Sequence, residues 1–217
     1  MSLLYVMHNG QSAEIAVVGN EGIIGVSLFM GGESTSSSAR VQSAGGDFRL
    51  TPPLMKEEFN RGGPVLHLLL RYTQAQMTQM VQTAACNKHH SLDQQLCRWL
   101  LLSIDRLQGT EMLMTEELIA NMLGVRSKKA VAGALKLQNA SLIDYTRGRI
   151  RALDRAGLEE RTCECYEVVR KESAWGCAWF PANVKFNPHT REYPDFCVLS
   201  HTLPKEREYG DQERDIG

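Results

Sequence analysis

The chain has 217 residues, 43% of them hydrophobic, which suffices for one large or two small domains with a buried core. Its formal net charge is −1, yet residues 126–155 carry eight Lys or Arg against two Asp, a local excess of +6. A basic patch on an otherwise acidic chain favours a polyanionic partner. A solvated helix followed by a hairpin would have the same composition, so the patch alone leaves both interpretations open.

No segment of the sequence predicts export or membrane insertion. No run of about 18 apolar residues is present, and the N-terminus lacks a basic segment followed by an apolar core. Six cysteines stand at irregular spacings in a chain too large to need disulfide bonds for stability. We therefore expect a cytoplasmic protein that makes no contact with a membrane and keeps most of its cysteines reduced.

Residues 1–60 alternate short β-prone segments with glycine-containing turns, which is typical of a small β-roll. The strands are too few for a complete jelly roll, so we expect a partial one. After Pro52-Pro53 interrupts the pattern, a short helix is predicted over residues 54–60. The predicted strands are Leu3–Met7, Ala13–Val18, Ile23–Met30, Arg40–Ser43 and Phe48–Leu50.

Residues 61–86 are predicted to form a long dimerisation helix that begins near Pro64, a residue suited to a first helical turn. Apolar residues recur in it at alternating steps of three and four, the spacing by which one helix pairs with another. Packing against the chain's own β-roll is the alternative, and a second apolar edge that includes Tyr72 and Val81 is available for it. The predicted dimer interface consists of Leu66, Leu69, Thr73, Met77, Met80 and Ala84.

Residues 87–160 are predicted to form a separate domain that starts with a helix over Leu92–Leu107. Ser91 is the expected N-cap of this helix, and Gly109 is expected to follow its last turn. The helix has one continuous apolar face, which predicts that this face packs against the elements that follow it in the chain.

Two further short helices and a tight turn follow. Thr115 is a good N-cap for the first of them, and Gly124 can adopt the positive φ that the turn needs. The second helix is predicted over Ser127–Asn139, and its first turn is basic. Two short helices joined by a tight turn, the second with a basic first turn, are typical of a helix-turn-helix. The second helix of such a module enters the major groove of DNA.

Residues 144–153 are predicted to form two strands around a turn that carries arginines. A hairpin after a helix-turn-helix is typical of a winged module, in which the wing reaches the DNA backbone or the minor groove. A helical hairpin used only for packing is the alternative. The predicted DNA-contacting residues are Thr115, Arg126, Ser127, Lys128, Lys129, Arg147 and Arg149.

This part of the chain resembles the Crp/Fnr superfamily of bacterial transcription regulators. The resemblance lies in HHSLDQQLCRWLLLSIDRL, followed by MTEELIANMLGV, ALKLQNASLIDY and the RGRI wing. Upstream, GNEGIIGVSLFMGGEST resembles the later strands of the superfamily's cyclic-nucleotide-binding-type β-roll. The resemblance covers roughly residues 3–166. It implies a homodimer, joined along the long helix, that binds a two-fold operator in double-stranded DNA, with RNA polymerase as a further partner.

Two departures from the superfamily limit what the resemblance implies. Its nucleotide-binding members use a Gly-Glu pair and an Arg-Ser/Thr pair, where this chain has Gly25-Val26 and the segment Ser36–Ala39. Without an arginine partner, the negative charge of a buried phosphate would be poorly compensated, so we expect no bound cyclic nucleotide. We expect no other cofactor. In the second helix, the segment Ser127–Ala130 replaces the usual Arg-Glu pair and β-branched residue, which predicts weaker or altered sequence choice.

The remaining residues offer no further site. The segment Cys86–Cys97 contains two cysteines and two histidines but lacks a matching second pair of ligands, and Cys163-x-Cys165 is also incomplete, so we expect no metal site. Residues 161–217 are predicted to be irregular and, from Pro204 onward, disordered.

These patterns favour an α+β protein that regulates transcription by binding DNA. A ligand- or partner-binding module with degenerate DNA recognition is the alternative, which the short β-roll and the altered second helix support. The sequence contains no nucleophile–base pair, P-loop or paired-histidine motif that would predict an enzyme.

Overall fold

The structure, a computed structural model, describes residues 1–20, 22–32, 34–43, 45–107, 111–177 and 198–199. The described residues form an α+β protein with small antiparallel sheets and a predominantly helical second half, as predicted. Among them, no helix is both long enough and apolar enough to cross a membrane.

The N-terminal region contains five short strands. They are β1 (Ser2–Val6), β2 (Ser12–Val17), β3 (Ile23–Ile24), β4 (Ser37–Arg40) and β5 (Phe48–Arg49). β1 lies at the centre of an antiparallel sheet, between β2 and β4. The predicted strand Ile23–Met30 is wrong after Ile24, because Gly25 adopts a φ of +93° and a short 3₁₀ turn follows over Val26–Leu28.

Three helices form the middle of the chain. They are α1 (Pro52–Asn60), α2 (Pro64–His89) and α3 (Leu92–Ile104). Pro64 occupies the first turn of α2, and Ser91 caps α3 with a reciprocal hydrogen-bond pair to Gln94, as the sequence predicted. The predicted span to Leu107 is three residues too long, because α3 ends at Ile104 and a turn follows. Gly109, predicted to follow the helix, lies outside the described residues.

The winged module follows α3. Its elements are β6 (Glu111–Leu113), α4 (Glu116–Leu123), α5 (Ser127–Asn139), β7 (Ile143–Thr146) and β8 (Arg149–Ala152). The sequence predicted both helices and the β7–β8 hairpin. It did not predict β6, which pairs with β8 and makes the wing three-stranded.

Two helices close the described part of the C-terminal half, α6 (Arg155–Arg161) and α7 (Glu164–Cys177). The prediction of an irregular segment from residue 161 is therefore wrong for α7. Tyr166 and Val169 on α7 are buried in the core of the winged module. These two residues, three positions apart, form a short apolar stripe that the sequence-based prediction did not include. Val198–Leu199 forms β9 and pairs with both β3 and β5. The predicted disorder after Pro204 lies outside the described residues.

The apolar seam predicted on α2 is split between two environments. Leu69 is fully buried against the chain's own α1 and N-terminal residues, and Thr73 is buried beside it. Met80 packs partly against the first sheet. Leu69 and Thr73 are thus covered within the chain and are not available to a partner helix. The exposed apolar side chains of α2 include Leu70, Met77, Val81, Ala84 and Ala85.

Candidate nucleic-acid interface

The turn between α4 and α5 is set by a cap at each end of α4. The hydroxyl of Thr115 accepts a hydrogen bond from the backbone N–H of Leu118 (3.2 Å) and so caps the first turn. At the other end Gly124 adopts a φ of +62°, and its N–H donates to the last carbonyls of α4. Because only a residue without Cβ adopts this conformation at no cost, the glycine fixes the direction in which α5 leaves.

α5 packs through small side chains and leaves its first turn in solvent. Ala130, Gly133 and Ala134 are buried, and a Cβ added at Gly133 would lie 3.5 Å from a methyl group of Leu92 on α3. This close packing seats α5 on α3 while the residues at its N-terminal end project outward. The exposed residues of that end are Arg126, Ser127, Lys128 and Lys129.

The wing is a two-residue hairpin in which both turn residues have positive φ. Arg147 has a φ of +53° and Gly148 one of +72°, as in the turns that match the twist of an antiparallel pair. The backbone N–H of Met114 donates to the Gly148 carbonyl (2.7 Å), which holds the tip of the wing beside Thr115 at the start of α4. The exposed Arg147 side chain is thereby presented at the tip.

The basic residues of this region fall into two groups. Four of the eight form ion pairs with acids of the same chain: Lys136 with Asp93, Arg149 with Glu111, Arg151 with Asp144, and Arg155 with Asp105 and Glu159. The other four make no ion pair or hydrogen bond through their side chains within the described part of the chain. They are Arg126, Lys128, Lys129 and Arg147.

All seven residues predicted to contact DNA are exposed. Thr115 uses its hydroxyl as a helix cap. Arg149 is held by Glu111 at 2.8 Å, a partner that the sequence analysis missed together with β6. The alternation of buried Met112 and Met114 around exposed Leu113 was the available indication of that strand. Because the Arg149 and Glu111 side chains are both largely exposed, their ion pair is weak.

Comparison with known proteins places this interface in a recognised domain. Residues 94–161 match the family model of the Crp-like helix-turn-helix domain. A comparison with curated proteins finds no match.

Solved structures of Crp/Fnr regulators share the fold. A CRP-family transcriptional regulator from Thermus thermophilus is 19% identical, with a TM-score of 0.56 over 74% of this chain and 82% of that one. A putative Crp/Fnr-family regulator from Eubacterium rectale is 16% identical, with a TM-score of 0.55 over 73% and 74%. FixK2 from Bradyrhizobium japonicum is 11% identical, with a TM-score of 0.54 over 75% and 82%. The resemblance stated from the sequence is confirmed for the fold and for the helix-turn-helix domain.

Proposed function

We propose that this protein is a transcription regulator that binds a two-fold operator in double-stranded DNA as a homodimer. The observation that carries the proposal is the separation of the basic residues into two groups. Those at the first turn of α5 and at the tip of the wing have no acidic partner in the described chain, whereas those elsewhere in the module are paired. Unpaired cations repel one another and gain most from a polyanion.

The local backbone supports the same conclusion. No side chain caps the N-terminus of α5, so its first N–H groups are free of a capping side chain and, with the helix dipole, favour a phosphate. Lys128 and Lys129 are point charges that suit phosphate oxygens better than the paired acceptors of guanine. We therefore infer tight but weakly sequence-selective contact by these two lysines, with base recognition assigned to Arg126 and Ser127.

The exposed apolar face of α2 supports a homodimer. Leu70, Met77 and Val81 are half or more exposed, at 50%, 54% and 64%, and they recur at steps of seven and four. That spacing places them on one stripe of the helix, which a second copy of α2 can cover. Replacing Met77 by Glu should shift the dimer towards monomer in analytical ultracentrifugation, whereas Met30→Glu, at an exposed methionine outside α2, should leave it unchanged.

The β-roll residues argue against cyclic nucleotide as the effector. No glutamate stands at Gly25-Val26, and the segment Ser36–Ala39, which runs into β4, contains no arginine. Isothermal titration with cyclic AMP and cyclic GMP should show no heat of binding at millimolar nucleotide. Cytoplasmic location and contact with RNA polymerase stay predictions that depend on the proposed function.

The DNA proposal is tested by fluorescence anisotropy with labelled duplexes over a series of salt concentrations. Wild-type affinity should fall steeply with salt, by about 0.9 log units per log unit for each phosphate engaged. In Lys128→Ala/Lys129→Ala the affinity should be about tenfold or more lower, and the slope shallower by roughly 0.9 for each lysine. Arg147→Ala should have a smaller effect of the same kind.

Lys56→Ala is the matched control, because Lys56 is an exposed lysine on α1, far along the chain from the module. It removes one positive charge, as Arg147→Ala does, and should leave both affinity and slope unchanged. Equal binding by the wild type and the double variant would contradict the proposal and support a partner-binding module instead. Footprinting of genomic fragments bound by the wild type then identifies the operator.

A further inference from the structure

The C-terminal end of α2 meets the N-terminal end of α7, and four metal-binding side chains converge there. Cys86 and His90 come from α2 and its C-cap, and Cys163 and Cys165 come from the turn that starts α7. One ligand atom from each lies within 4.8 Å of all the others. The three thiols are buried together, apart from the apolar cores.

Each pair of ligands is positioned by its own backbone. Cys86 and His90 stand four residues apart, so they share one face at the helix end, and the His90 N–H closes the last turn on the Cys86 carbonyl (3.0 Å). The buried Gln95 side chain donates to the carbonyls of His90 (2.9 Å) and Cys86 (3.4 Å), which ties this helix end to α3. The α2 ligands are thus held before any ion binds.

The distances fit one tetrahedral ion. Bond lengths of about 2.3 Å to sulfur and 2.0–2.1 Å to nitrogen separate two sulfurs by roughly 3.8 Å, and a sulfur from a nitrogen by roughly 3.6 Å. The Sγ atoms of Cys86 and Cys163 are 3.5 Å apart, and Cys165 Sγ lies 3.6 Å from His90 Nδ1. These two separations are within about 0.3 Å of the tetrahedral values, and no pair among the four atoms has to close by more than about 1 Å to coordinate a single ion.

The surroundings of the four ligands match those of a metal site. His90 Nε2 lies 3.3 Å from a carboxylate oxygen of Glu164, so the ring can donate from Nε2 and leave the Nδ1 lone pair facing the thiols. The buried guanidinium of Arg98 on α3 donates to Thr83 (3.3 Å), which lies three residues before Cys86 on α2, and its Nε has no hydrogen-bond partner in the described part of the chain. Three thiolates around a divalent cation carry one net negative charge, which a guanidinium at this position would offset.

From these contacts we propose that Cys86, His90, Cys163 and Cys165 form a structural zinc site that joins α2 to α7. Three sulfurs and one nitrogen in tetrahedral arrangement are the donor set of closed zinc sites and leave no position for a substrate. In the sequence these residues form two separate pairs, each incomplete by itself, which predicted no metal site. The fold brings the two pairs together, whereas Cys97 lies in the core of the winged module and His89 is exposed.

Zinc content is the direct test. Protein purified under reducing conditions, incubated with zinc sulfate and desalted should retain one zinc ion per chain by mass spectrometry of the metal. Cys165→Ser and His90→Gln should lose that ion to a competing chelator far more readily. Cys97→Ala and His89→Gln are matched controls, a neighbouring cysteine and a neighbouring histidine outside the site, and should retain it like the wild type.

Cobalt supplies a readout that does not depend on the variants folding. Wild-type chain loaded with Co²⁺ should show the intense visible bands of tetrahedral coordination and a thiolate-to-cobalt charge-transfer band in the near ultraviolet. Chelation should lower Tm by about 5 °C or more and speed hydrogen exchange at the end of α2 and the start of α7, because the ion stabilises only the folded state.

Three results would overturn the proposal. They are a wild-type chain that retains no zinc, equal zinc retention by His90→Gln and the wild type, and a Cys86–Cys163 disulfide in the zinc-treated protein. None of these readouts involves DNA, so failure of the zinc site and failure of the proposed function are distinguishable.

Discussion

The winged module and the N-terminal strands differ in how they are stabilised. The module has one continuous core to which α3, α4, α5, the wing, α6 and α7 all contribute. The N-terminal region has two small clusters, one around Leu69 and Met55 and one around Leu3 and Val18. Because apolar burial is the main stabilising contribution, the strands depend on the helical half more than the reverse.

One strand connects the two regions. Val17 of β2 is part of the module's core, and the indole N–H of Trp99 on α3 donates to the buried carboxylate of Glu14 on the same strand (2.6 Å). Ser2 and Gln42 donate to the other carboxylate oxygen. The partial roll is therefore held to the module by a few specific contacts.

The largest expected effect is the difference in stability lost when a leucine is truncated in one core or in the other. Leu100→Ala, in the module, should lower the free energy of unfolding by about 3–5 kcal/mol, because a fully buried leucine leaves a cavity that its neighbours cannot fill. Leu3→Ala should cost about 2 kcal/mol, since its cluster is small and lies near the surface. Urea denaturation of both variants measures the difference. Equal costs would contradict the difference in packing between the two regions.

The next effect is a pH dependence at the junction. The pKa of Glu14 is raised from 4.5 to about 7, chiefly because burial disfavours the carboxylate, while hydrogen bonds from Ser2 and Trp99 oppose the shift. The folded state therefore binds the proton more tightly than the unfolded state. The contribution of Glu14 to the free energy of unfolding is fully present below pH 4.5 and is lost as the pH rises to about 7. The loss is about 3 kcal/mol.

Glu14→Gln is the variant that checks this pH dependence. The amide retains an oxygen for the Trp99 N–H and cannot ionise. Its free energy of unfolding should lack the decrease between pH 4.5 and 7 and exceed that of the wild type at pH 8. A wild-type stability that rises over that interval by a similar amount would show that Glu14 is ionised in the folded protein.

The smallest effect lies inside the module and compares two glycines of one helix-turn-helix. Gly133→Ala should raise the free energy of unfolding by about 0.5–1 kcal/mol, because its φ is not positive and the added Cβ makes an ordinary contact with Leu92. Gly124→Ala should lower it by about 1–2 kcal/mol, because the φ of +62° strains any side chain. Thermal unfolding of both variants is the measurement, and stabilisation by both would contradict the assigned turn.

The sequence predicted the module better than the strands because the module's determinants are local. Thr115 and Gly124 bound α4 within ten residues, and the predicted span Ser127–Asn139 agrees with α5. For α2 the periodicity identified a helix and an apolar stripe. It did not show that the chain itself covers Leu69, because that depends on contacts with residues far away in the sequence.

The helix-turn-helix, the wing and the cluster of basic residues could be predicted from the sequence, because caps, turns and periodicity act between residues a few positions apart. Long-range packing, in contrast, sets which cations lack an acidic partner and which face of α2 is exposed. It also brings Cys86 and His90 to Cys163 and Cys165. The two pairs of ligands are more than 70 residues apart in the sequence, and no pattern of neighbouring residues predicts how close they lie in the fold. Packing of α7 against the helical half brings them together, because burying its apolar face there lowers the free energy.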